Sequence, residues 1–231
     1  MLVHTIFDVL AWAVAAMAGS MATRRWGNGR GFGLTSRPWY FACAAVGALG
    51  GAVLLGSANT LLAGLAEGKS VLGGLLGGIL GVEVYKLATG LRGSTGFGFV
   101  VPMATGIVIG RVGCFLAGLA DFTYGVATRV PWGWDFGDGI ARHPVQLYES
   151  AAMLVFLAWF VRALARGDAV ARRHGFALFA VWYGTQRFAW EFLKPYPPLL
   201  GPLNVFHFGC LALAAYGAAA IVMREKQHAP A

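Results

Sequence analysis

Apolar residues run along this chain in long blocks separated by short polar breaks. The blocks cover residues 3–21, 38–65, 70–89, 97–118, 143–164, 175–193 and 203–223. Each is close to the about 20 residues that an α-helix needs to cross the hydrocarbon core of a bilayer. The alternation of apolar and polar residues that marks a membrane β-barrel is absent. The pattern predicts an all-α, polytopic membrane protein with about seven transmembrane helices, built as one integral membrane domain over residues 1–231.

The polar breaks give the blocks a direction. Arg24, Arg25, Arg30, Arg37, Lys86, Arg92, Arg162, Arg166, Arg172, Arg173, Arg224 and Lys226 fall in breaks on one side. The other side carries Lys69, Arg129, Arg142 and Lys194. Short cytoplasmic loops hold the excess of Lys and Arg, so this asymmetry predicts an N-terminus outside and a C-terminus in the cytoplasm. Residues 119–142 then form the largest extracytoplasmic loop. Its Phe122, Tyr124, Trp132, Trp134 and Phe136 suit a place at the headgroup level. The first block lacks a basic leader and is followed by an Arg pair, so it reads as a retained span rather than a signal peptide.

Composition narrows the function classes. The chain is 58% hydrophobic and 12% charged, where a soluble domain carries about 25% charged residues. The net charge of +8 would suit nucleic acid, but the basic residues sit in the breaks, where membrane topology accounts for them. No nucleic-acid partner is expected. Cys43, Cys114 and Cys210 lie far apart in apolar blocks, with no metal-ligand spacing, so neither a disulfide, a metal nor a cofactor is predicted. Gly47 and Gly51, and Gly73, Gly77 and Gly81, recur at four-residue spacing, which predicts close helix packing. The segment GNGRGFG (27–33) follows no predicted strand and is not read as a nucleotide loop.

Ionisable groups inside spans are the candidates for function. Arg111 stands in MATGIVIGRVGCFLAG, about two turns or roughly 10 Å below the outer end of its span. The fifth span opens on HPVQLYES, with His143, Gln146 and Ser150 on one face and Glu149 at its edge. In the sixth, Arg187 and Glu191 are four apart and can pair, with Tyr183 on the same stripe. Asn204 and His207 lie near the start of the seventh. Topology brings all of these to one depth, and guanidinium groups there fit an anionic lipid headgroup. Glu83, with Lys86 three residues on, reads as a structural pair.

GRVGCFLAG, RHPVQLYES and YGTQRFAWEF, in this order, resemble the bacterial prolipoprotein diacylglyceryl transferases, over roughly residues 38–223. The resemblance implies a seven-span enzyme of the bacterial inner membrane. Such an enzyme moves a diacylglyceryl group from phosphatidylglycerol to the cysteine thiol of a lipobox-containing preprotein and releases glycerol phosphate. It implies catalytic roles for Arg111, Arg187, His143 and Glu149, the arginines on the phosphate and the other two in proton handling or in orienting them. Gln146, Tyr148, Glu191, Gly110, Gly113 and Asp121 are the implied substrate-binding residues. Two departures stand out. The family's motif Gly-Arg-x-Gly-Asn-Phe-x-Asn-Gly-Glu has Cys114, Ala117 and Leu119 here at its Asn, Asn and Glu. Its His-Gly-Gly reads Leu72-Gly73-Gly74. Two other readings therefore stay open: the same fold with another acceptor, and a non-enzymatic protein that binds anionic lipid.

Overall fold

The computed structural model describes residues 2–27, 37–62, 64 and 68–226. Seven long helices follow in order: α1 (Leu2–Trp26), α2 (Pro38–Leu62), α3 (Val71–Thr89), α4 (Val100–Ala117), α5 (Val145–Ala165), α6 (Ala169–Glu191) and α7 (Val205–Lys226). Residues 63 and 65 of the second predicted span, and all of GNGRGFG after Gly27, lie outside the described residues. All the helices but α6 are long and apolar enough to cross a bilayer. The chain is an all-α, multi-pass membrane protein.

The exception follows from position. At 23 residues, α6 is about 34 Å long and reaches as far as its neighbours. Its polar residues lower its hydropathy, yet Tyr183, Gln186, Arg187 and Glu191 are all buried. It packs between α5 and α7, so other protein atoms rather than lipid meet its polar stripe. The outer surface is the reverse. Trp12, Trp39, Leu54 and Leu87 are among the most exposed side chains, at 74–84%, as a surface immersed in lipid allows.

Close helix contacts are made where side chains are missing. A Cβ at Gly77 would land on the Gly47 carbonyl of α2, and one at Gly73 on the Gly51 carbonyl. Glycine at these positions lets the two backbones touch. Gly74 and Gly78, one residue further on, leave ordinary contact distances of 3.5 Å and more to a Cβ. Gly77→Ala should therefore destabilise by about 1–3 kcal/mol, whereas Gly78→Ala should be neutral or slightly stabilising. Thermal unfolding of both variants in detergent checks the contrast.

The segment between α4 and α5 covers one end of the bundle. It opens with a 3-10 turn (Gly118–Asp121) and contains a small hairpin, β1 (Trp134–Asp135) paired antiparallel with β2 (Ala141–Arg142). Asp135 Oδ1 accepts from the backbone N–H of Gly137, Asp138 and Gly139, which shapes the turn. Arg142 grips Asp138 at 2.7 Å and holds that carboxyl below the usual carboxylate range. The segment is pinned to the bundle by Val126 N–H to Leu193 O (2.7 Å), Gly125 N–H to His143 O (3.0 Å) and Tyr196 O–H to Phe122 O (2.9 Å). This end of the bundle holds the charged cluster.

Candidate functional site

Arg111 lies near the C-terminal end of α4, Glu149 in the second turn of α5, and Arg187 and Glu191 near the C-terminal end of α6. Antiparallel neighbours bring these positions to one level, and the structure joins their side chains. Glu149 Oε2 takes Arg111 Nε at 2.7 Å and an N–H of Arg187 at 2.8 Å. Arg187 turns its Nε to Glu191 Oε2 at 3.0 Å, and its guanidinium lies 5.5 Å from the Phe206 ring centre. All four residues are buried, Glu149 completely.

A fifth ionised group completes the cluster, and the sequence reading gave it no role there. Lys194 Nζ lies 2.6 Å from Glu149 Oε1. The chain continues past α6 in a turn, with Leu193 N–H on Trp190 O and Lys194 N–H on Glu191 O, and this folds Lys194 back beneath the loop. Burial first, then the Arg187 guanidinium, push the ammonium below the ordinary lysine value, while Glu149 and Glu191 pull it up. Its three-residue spacing from Glu191 was visible in WEFLKPYPP. A lysine just past a span reads by default as an interfacial cation, which hid it.

Two carboxylates thus face three cations, and one positive charge is left over. Removing a charge from water costs several kcal/mol per ion unless it is paired, so one added anion would balance this cluster. A guanidinium has five N–H donors. Arg111 and Arg187 spend only part of theirs on the carboxylates, and the remainder match phosphate oxygens.

Other named residues surround this cluster in different ways. Gln146, three residues before Glu149 on α5, is fully buried, and neither of its amide atoms has a partner among the described residues. The Tyr183 hydroxyl is likewise buried and unpartnered. His143 is half-buried, with Nδ1 at 3.3 Å from the Tyr148 hydroxyl, which also accepts from Trp132 Nε1 at 2.7 Å. Its ring therefore meets Tyr148 and not the arginines. Asp121 accepts from Thr123 Oγ1 at 2.6 Å and lies beside the Cys114 thiol. Gly110 faces open space, whereas a Cβ at Gly113 would strike Phe7 of α1, so Gly113 serves helix packing.

Asn204 and His207 form a reciprocal cap at the start of α7. Asn204 Oδ1 accepts from the N–H of Phe206 and His207, while His207 Nδ1 accepts from the Asn204 N–H. Asn204 Nδ2 also donates to Glu191 Oε1 at 3.3 Å, linking the cap to the charged cluster. Ser150 donates to the Val108 carbonyl at 2.8 Å and holds α5 against α4. Leu72, where the resemblance has histidine, is buried in the apolar core with Leu75, Phe206 and Cys210. Among the described residues no three His, Cys, Asp or Glu side chains gather closely enough to hold a metal ion.

The profile of the prolipoprotein diacylglyceryl transferases matches residues 3–223. Relatives named phosphatidylglycerol–prolipoprotein diacylglyceryl transferase include proteins of Coxiella burnetii, Nitratidesulfovibrio vulgaris and Methylobacillus flagellatus. The Coxiella protein is 36% identical over 141 residues, covering 58% of this chain and 51% of that protein. The Nitratidesulfovibrio protein is 37% identical over 147 residues, 59% and 52% of the two chains. The Methylobacillus protein is 38% identical over 141 residues, 56% and 51%. The chain spans about half the length of the curated relatives it matches. No solved structure matches it. With the profile covering nearly all of its helices, this chain belongs to the prolipoprotein diacylglyceryl transferase family.

Proposed function

We propose that this protein transfers a diacylglyceryl group from phosphatidylglycerol to the cysteine thiol of a lipoprotein precursor. The observation that carries the reading is the buried set of three cations on two carboxylates. Phosphatidylglycerol brings one negative charge as a phosphodiester, which the excess positive charge balances. When the thiol sulfur bonds to the glyceryl carbon, the bond from that carbon to the phosphate oxygen breaks. The oxygen keeps the electron pair and leaves as glycerol phosphate, gaining a second negative charge. Fixed donors aimed at charge that develops during reaction accelerate it, and Arg111 and Arg187 are those donors.

Glu149 has both oxygens engaged by cationic groups and is a poor proton acceptor in that state. Its role is to position the two arginines. Proton handling falls to His143, half-buried beside Tyr148 near the start of the same helix. The unpartnered Gln146 amide supplies a donor and an acceptor to the donor lipid. His143→Gln should lower the transfer rate by about 10²-fold with phosphatidylglycerol affinity unchanged, read as a fall in kcat without a rise in KM.

The orientation proposed is N-terminus outside and C-terminus cytoplasmic in the bacterial inner membrane. Residues 119–142 and the charged cluster then lie toward the outer face, because the basic breaks stay inside. The test is incubation of purified protein with phosphatidylglycerol and a lipobox peptide, followed by mass spectrometry. Gain of one diacylglyceryl mass on the peptide is the expected product. Absence of product, with phosphatidylglycerol retained in an Arg111-dependent way, would replace transfer by lipid binding alone.

A further inference from the structure

Two polar side chains on α6 take no part in the charged cluster. Gln186 is 9% exposed, and neither its amide nitrogen nor its carbonyl oxygen has a partner among the described residues. The Trp190 indole N–H, one turn further on, is likewise buried and unpartnered among them. An amide shut away from water without a hydrogen bond costs stability, and an apolar residue of similar size would not. Folding therefore does not account for Gln186, whereas a bound group that pairs with its amide would.

Trp182, Gln186 and Trp190 form one stripe at four-residue spacing, and contacts at both ends show that it faces α5. Trp182 Nε1 donates to the Ala152 carbonyl at 3.1 Å, and the Trp190 ring centre lies 5.4 Å from that of Tyr148. Gln186 immediately precedes Arg187, so it sits at the depth of the charged cluster and about 100° around the helix from it. The outer end of the stripe is its more open part. Trp190 and Tyr148 are half-buried there, and Trp132, which donates to the Tyr148 hydroxyl, is 61% exposed. The unpaired groups are a donor and an acceptor at Gln186, and a second donor about 6 Å along the helix at Trp190. A peptide unit offers the matching C=O and N–H, and in an extended chain units on one side recur about 6.6 Å apart. Neighbouring hydroxyls of a glycerol headgroup sit on adjacent carbons, too close together to meet both.

We propose that this stripe seats the acceptor. An extended segment of the lipoprotein precursor beside its cysteine pairs its peptide groups with the Gln186 amide and the Trp190 indole N–H, which brings the thiol to the level of Arg187. This seat, which rests on the transfer reading above, supplies the surface that takes the peptide. The test is binding of a fluorescent lipobox peptide to the full chain in detergent without phosphatidylglycerol, a readout that needs no turnover. Gln186→Leu should raise the Kd by about tenfold or more with Tm equal or higher, because a buried unpaired amide is gone. Trp190→Phe keeps a ring against Tyr148 and should raise the Kd less. An unchanged Kd in Gln186→Leu overturns the proposal, as does a peptide that fails to bind the unsubstituted protein. In turnover, Gln186→Leu should raise the KM for peptide and not that for phosphatidylglycerol; the opposite split gives the amide to the donor lipid and overturns the proposal. Gln186-dependent peptide binding by a protein that transfers nothing would leave the seat standing and remove the transfer reading. Should Gln186→Leu fail to fold, a lipobox peptide N-methylated along its backbone is applied to the unsubstituted protein. Weaker binding than that of the unmethylated peptide supports the pairing, and equal binding overturns it.

Discussion

Arg111→Ala is expected to lower the rate of diacylglyceryl transfer by about 10²–10³-fold while leaving the fold close to intact. The two effects separate because of the charge count around Glu149. With Arg111 removed, Arg187 and Lys194 still hold Glu149 and Glu191 at 2.6–3.0 Å, and the buried cluster becomes neutral. Nothing in it is then left unpaired, but the excess positive charge that faces a phosphate is gone. Arg111→Lys should recover little, since an ammonium lacks the planar fork that meets a carboxylate and a phosphate together. The peptide mass-shift assay gives the rate, and thermal unfolding in detergent gives the fold. A protein that keeps its rate without Arg111 would remove the phosphate reading.

Glu149→Gln should do the opposite damage. It leaves Arg111, Arg187 and Lys194 buried with Glu191 as the one carboxylate among them. Breaking a buried pair by deleting one partner costs about 3–5 kcal/mol, and here three contacts depend on one side chain. The variant should unfold at a markedly lower temperature than Arg111→Ala. The double variant Arg111→Ala/Glu149→Gln should be more stable than Glu149→Gln alone, because it returns one unpaired cation's worth of desolvation. A double variant no more stable than the single one would show that the Arg111–Glu149 contact carries no coupling. Activity should be absent from both, since the arginines lose their common anchor.

Much of this was legible in the linear chain. Span length and hydropathy depend on local composition alone, so six helices could be read nearly to their ends. The glycine spacing in 46–53 and 72–81 likewise marked the α2–α3 contact, because close approach needs small residues at helical period. The level of Arg111, Glu149, Arg187 and Glu191 followed from antiparallel neighbours and a constant rise per residue. The central place of α6 was less visible: its polar stripe looks the same in sequence whether it faces lipid, water or protein.

Lys194 marks the boundary most clearly. Its charge and spacing were on the page, but its destination depends on the turn after α6 and on Phe122 and Val126 of the loop above it. His143 shows the reverse: helical spacing would put it on one face with Gln146, yet α5 begins only at Val145 and the His143 ring turns to Tyr148 beyond the cluster. The contrast between Gly77 and Gly78 is also a tertiary fact, since it lies in what each faces. Sequence alone determined the class, the number of long helices and which charges could share a depth, because these follow from composition and helical rise. Tertiary structure decided which charges meet, how many cations surround Glu149 and where space remains, because pairing and packing depend on chain segments distant in sequence.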